Sequence, residues 1–169
     1  AKAAGLSRRL ITMYFGSVDE LVETYVRNKD FWLAASGNAS EMIAANKGED
    51  TKEIIEYLLQ NQIDNFYDNP EMQKLILWEI SKKTKIMYEV CEEREHLGSK
   101  VFELTDKELQ GRNIDIRAVT ALLVAGIYYM VLHAKSTDTT FCEIDINQPE
   151  GMQRIKNAIS LILEHTYKN

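Results

Sequence analysis

Apolar residues recur three and four positions apart along almost the whole chain. That spacing places them on one face of a helix. Leu21, Tyr25, Val26 and Trp32 fall on related faces behind Ser17-Val18-Asp19-Glu20. This is a capping box, in which Ser17 serves the Glu20 N–H and Glu20 reaches back. Asp50-Thr51-Lys52-Glu53 reads as a second helix start of the same kind, followed by Ile55, Leu59, Ile63 and Phe66. Asn69-Pro70 ends that helix and opens another, with Pro70 at the first helical position, where its missing N–H costs nothing. Met72, Leu75, Ile76 and Ile80 form its apolar side. Met87, Val90, Leu97, Val101 and Leu104 then stripe a long helix predicted over 83–109, and Arg94 falls on the same stripe. Gly111 and Asn113 break the pattern.

From 115 to 135 the chain is apolar on almost all sides. Ala118, Leu122, Ala125, Tyr129 and Leu132 make one face, and Val119, Leu123, Gly126, Met130 and His133 the next. A helix apolar all round must be covered on all sides. A polar loop is expected over 137–148, then a last helix from Pro149 with Ile155, Ile159 and Ile162 in line. No strand-like alternation, internal repeat, low-complexity segment or flexible linker interrupts this. The fold class expected is all-α, with a small N-terminal unit running directly into a larger helical body.

Composition narrows the picture. The chain has 169 residues, 45% of them hydrophobic, enough for a sizeable core. Eight glycines and two prolines are few for a sandwich or barrel. Cys91 and Cys142 share no short metal-type spacing and form no disulfide framework, so a reducing cytoplasm is the expected compartment. The first ten residues lack the apolar segment of a signal peptide. The longest apolar run, 118–132, is interrupted by Thr120 and carries two tyrosines, which reads as too short and too mixed to span a bilayer. No membrane partner and no cofactor are expected.

Charge is unevenly placed. The net charge is -6, yet residues 1–18 carry Lys2, Arg8 and Arg9 and no acid, leaving -9 for the rest. An acidic body with a basic tip repels nucleic acid everywhere but at the tip. The bland alternative is a surface helix with two solvated arginines. The tip has its own chemistry. Gly5 can take the left-handed conformation that ends a helix, and Ser7 can cap the next. A tight helix-turn-helix of this kind can lay its second helix in the DNA major groove. Arg8, Arg9, Thr12 and Met13 would lie outward or near its N-terminal end, and Leu10, Ile11 and Phe15 inward. Arginine suits guanine edges and phosphates, and Thr12 and Tyr14 can donate to phosphate oxygens.

The run AKAAGLSRRLITMYFGSVDEL resembles the end of the helix-turn-helix of TetR-family transcriptional regulators. Ala1, Ala4, Gly5, Leu6, Ser7, Ile11, Tyr14, Phe15, Ser17, Glu20 and Leu21 fit the pattern. Thr12 stands where the family often has tyrosine and Val18 where lysine is usual, which removes two phosphate contacts. The resemblance implies a partial helix-turn-helix DNA-binding domain with a connecting helix over 1–32. It implies a helical regulatory domain for ligand binding and dimerisation over 33–169. It also implies that one helix and part of a second precede Ala1. The expected function is a ligand-responsive transcriptional repressor. Its expected partners are double-stranded operator DNA, a small-molecule inducer, and a second copy bound through the two C-terminal helices. DNA contacts are expected from Ser7, Arg8, Arg9, Thr12, Met13 and Tyr14.

For a ligand cavity the candidates are Trp78, Met87, Tyr88, Cys91, Arg94, Tyr128, Tyr129, Met130 and His133. Aromatic and methionine side chains with a few polar tips suit a mainly apolar molecule. Ordinary core packing is the competing reading of each. Arg94 either pairs with a carboxylate, snorkels to water, or orients an anionic group of the ligand. His96, His133 and His165 have no metal-ligand spacing, so no metal site is expected. No nucleophile–base pair or phosphate loop marks an enzyme. A helical interaction or small-molecule-binding module without DNA binding is the alternative, and a small helical enzyme a more distant one.

Overall fold

Polar caps divide the chain into its elements. The computed structural model describes residues 1–30, 32–33 and 49–168. Within the expected regulatory domain, residues 34–48 lie outside the described residues. Among the described residues the protein is all-helical and has no strand. A 3-10 turn, Lys2–Ala4, precedes α1 (Arg8–Phe15) and α2 (Val18–Lys29). Then follow α3 (Thr51–Asp68), α4 (Pro70–Ser81), α5 (Lys85–Glu108), α6 (Ile116–Thr137) and α7 (Pro149–Lys168).

Most of the expected punctuation is present. Gly5 is left-handed at φ 65°, and the Ser7 hydroxyl accepts from the Arg9 N–H at 3.2 Å. The segment before Gly5, expected to be the end of a helix, is a single 3-10 turn. Ser17 accepts from the Glu20 N–H at 3.1 Å. Gly16, at φ 79°, leaves room for the Glu20 carboxylate to fold back, since a Cβ there would sit 2.2 Å from Glu20 Oε2. Asn69, Thr84 and Asp115 accept from the N–H groups of Met72, Met87 and Ala118.

One boundary and one cap differ from the sequence reading. The helix that opens at Val18 ends at Lys29, so Trp32 belongs to the next segment. Asp50 does not cap α3, because its left-handed backbone (φ 58°) is not the extended one that capping needs. The Thr51 N–H instead donates to Glu108 Oε2 at 2.8 Å, and so does the Thr51 hydroxyl.

α3 is the central helix and packs on α4, α5, α6 and α7, while α2 packs on α1 and α4. Leu59, Ile63 and Phe66 of α3 meet Met72 and Ile76 of α4, Met87 and Val90 of α5, Ile127 and Val131 of α6, and Ile159 and Leu163 of α7 in one buried cluster. Each such side chain contributes roughly 1.5–3 kcal/mol by leaving water. The loop expected to be polar is partly core. Reciprocal backbone bonds between Phe141 and Ile144 (2.9 and 3.0 Å) close a tight turn, and Ile146 is buried. Cys142 and Glu143 take positive φ to make that turn. α6 runs for 22 residues, close to the span expected from the apolar stretch. By length and composition alone it is apolar enough to cross a membrane.

Candidate functional site

Three places bring together chemistry that packing alone does not use. The first is the N-terminal tip. Ser7, Arg8, Arg9, Thr12, Met13 and Tyr14 are all exposed, as the DNA-contact reading requires of them. Met13 and Tyr14 are 63% and 72% exposed, too open to serve a core. No acid pairs with Arg8 or Arg9 among the described residues. Leu10 and Ile11 turn inward as expected, whereas Phe15 remains exposed, because α1 is covered on the α2 side only.

The second place is a polar cluster where the C-terminal end of α2 meets the body. Asp30 caps α2 with its own N–H, which donates to the Val26 carbonyl at 3.0 Å. Its Oδ1 accepts the N–H groups of Trp32 (3.0 Å) and Leu33 (3.1 Å). Its Oδ2 accepts Arg94 Nε at 2.8 Å and also Arg94 Nη2. Arg94 Nη1 donates to Glu79 Oε2 at 2.6 Å. Asp30 is fully buried and the Arg94 side chain only 12% exposed. Burial works against the Arg94 charge, but the hydrogen bond and attraction of Asp30, then Glu79, outweigh it and raise its pKa. Two more ion pairs fasten the same end of α2: Arg27 to Glu93, and Lys29 to Glu71 at 2.5 Å.

This cluster gathers some of the ligand candidates and leaves others out. Cys91 lies half-buried beside Glu79 and Arg94, and burial followed by the Glu79 charge raises its thiol pKa. The Tyr128 hydroxyl accepts Trp32 Nε1–H at 3.0 Å, and its ring meets Phe66 edge-on at 4.8 Å. Burial raises the Tyr128 pKa, while the Trp32 hydrogen bond and the Arg94 charge oppose the rise. Trp78 and Met130 are half-buried against the core and Met87 is buried in it. Tyr88 instead faces solvent at 65% exposure. Tyr129 and His133 pack with Phe141, at 5.1 and 5.5 Å between ring centres, on the outer side of α6. Sequence reasoning missed the roles of Asp30, Glu79 and Trp32, and also Gln62, which is buried on α3. The signal available for Gln62 was an amide one position before Ile63 on a buried face.

The third place is the outer face of α6 and α7. Leu122 (76% exposed) and Tyr129 of α6, Phe141 of the turn that follows, and Leu161 and Ile162 of α7 are exposed, as are Ala118, Ala121, Ala125 and Ala158. Nothing among the described residues lies within 4 Å of a Cβ at Gly126, so no other described helix approaches it closely.

Two surface grooves are also present, the first beside the Lys29–Glu71 ion pair. One, about 700 Å³, opens between Lys29, Asn61, Asp64, Asp68 and Glu71. The other, about 260 Å³, lies among Thr105, Asp106, Arg112 and Arg117. Neither touches an expected ligand residue, and their polar rims suit solvent. No group of His, Cys, Asp and Glu suited to a metal ion occurs among the described residues. Comparison of the chain with protein-family models, with curated proteins and with solved structures yields no match.

Proposed function

We propose that this chain is a ligand-responsive DNA-binding transcriptional regulator of the TetR type, a repressor that a small molecule releases from its operator. The observation that carries the reading is the tip. A left-handed glycine and a capping serine present a short helix whose two arginines are solvent-exposed and unpaired with any acid of the described chain. A short helix set off by a turn is the kind of element that a major-groove reader uses, and this supports the reading. In this reading Arg8 and Arg9 reach base edges or phosphates, while Ser7, Thr12, Met13 and Tyr14 contact the backbone and groove wall.

The other two places supply the remaining parts. The outer faces of α6 and α7 pair with their copies in a second chain, an isologous four-helix arrangement that hides Leu122 and Leu161. The ion pairs at the end of α2 carry a change in the body to the DNA-reading helix. The inducer acts by binding better to the arrangement that does not fit the operator.

The test is operator binding by fluorescence anisotropy with the full-length protein. Arg8→Ala or Arg9→Ala weakens binding by roughly 1–3 kcal/mol where the residue reads a base, and flattens the salt dependence where it holds a phosphate. Unchanged affinity and salt slope in both variants would remove the DNA reading and leave a helical binding module.

A further inference from the structure

Gln62, on α3, is 1% exposed, and among the described residues neither its Oε1 nor its Nε2 has a hydrogen-bonding partner. Buried amides are normally paired, because an unmet donor or acceptor keeps its full desolvation cost. Gln73 illustrates the rule. It too is buried, and its Nε2 donates to the carbonyls of Phe66 (2.8 Å) and Tyr67 (3.0 Å). Thr120 and His133 also have an unpartnered atom, but both residues are partly open to solvent. A leucine at position 62 would fill a similar volume with no polar cost.

The neighbours of Gln62 define what it can receive. The Tyr128 hydroxyl is a polar neighbour, close enough that the amide helps to lower the phenol's pKa but outside hydrogen-bonding geometry. That hydroxyl already accepts Trp32 Nε1–H, which leaves its own proton to give. The nearby cation, Arg94, is spent on Asp30 and Glu79. Among the described residues the groups placed here are therefore an amide and a phenol, with the one neighbouring cation already paired.

We propose that Gln62 and Tyr128 anchor a small neutral ligand with an adjacent carbonyl and N–H, such as a primary amide, a lactam or the amide edge of a heterocycle. The proposal rests on the inducer reading and names the ligand class. The ligand carbonyl accepts from Gln62 Nε2 and from the Tyr128 hydroxyl, and the ligand N–H donates to Gln62 Oε1. A carboxylate ligand would lose its hydration with no free cation to meet it. A hydrocarbon would leave Gln62 unpaired. The same phenol holds Trp32, two residues beyond the Asp30 cap of α2, so a ligand on Tyr128 acts directly on the residue that follows the α2 clamp.

The experiment is thermal denaturation of the full chain with three probes of one shape: benzamide, benzoate and toluene. Benzamide raises Tm by about 3 °C at ten times its Kd, and the other two by less. Gln62→Leu raises the Tm of the ligand-free protein by roughly 2–6 °C and abolishes the benzamide shift. Gln62→Met, unbranched like glutamine, repeats the loss of the shift. The proposal is overturned by no benzamide shift, by a preference for benzoate or toluene, by a benzamide shift that survives in both variants, or by a lower ligand-free Tm in both. DNA binding is a separate readout. Gln62-dependent benzamide binding in a protein that binds no DNA retires the regulator and keeps the site. DNA binding without it does the reverse.

Discussion

Arg94 ties three segments together through one guanidinium. It sits on an apolar stripe of α5, where its long side chain crosses to α4 and to the end of α2. Removing it leaves Asp30, fully buried, with a charge and no cation. Breaking one side of such a pair costs about 3–5 kcal/mol, much more than an exposed ion pair. Arg94→Leu should lower the urea unfolding free energy by that amount. Adding Asp30→Asn should recover part of it, because Asn keeps an acceptor for the Trp32 and Leu33 N–H groups without the charge. A loss under about 1 kcal/mol for Arg94→Leu would mean that the pair is replaced by solvent and clamps nothing. The pattern of the chain marked Arg94 as informative and offered three uses for it. Its partners were illegible, since Asp30 lies 64 residues away.

Among the elements, local chemistry was legible and distant chemistry was not. Ser17, Asn69 with Pro70, and the apolar stripes of α3 and α4 mark their helices with signals contained in four or five residues. The start of α3 reads equally well as an Asp50 cap, yet Glu108 supplies the acceptor from 57 residues away. The end of α2 reads past Asp30 for the same reason. α6 and α7 present the opposite case. Their apolar residues are plain in the sequence, but only the fold sorts those facing α3 from those facing out. The exposed set predicts a dimer. Leu122→Asp or Leu161→Asp places a carboxylate in that face, where it loses its hydration on association. In light scattering at micromolar concentration the unaltered protein should have twice the chain mass, and each variant the mass of one chain with its helix content kept. A single-chain mass for the unaltered protein would refute the α6–α7 pairing.

For the molecule as a whole, the architecture separates charge from apolar surface. A basic tip stands at one end, an acidic body carries the core, and an apolar face lies on the last two helices. Each part has a use in the repressor proposed above, and the clamp at Asp30 ties the end of α2 to the body. The measurement that bears most directly on this account is selection of binding sites from random double-stranded DNA by the full-length protein. A two-fold dimer of major-groove helices enriches an inverted repeat, with half-sites related by the symmetry of the protein. Arg8→Ala or Arg9→Ala should relax one position in each half-site. Enrichment of no sequence over the input pool, at a salt concentration low enough to favour phosphate contacts, would contradict it.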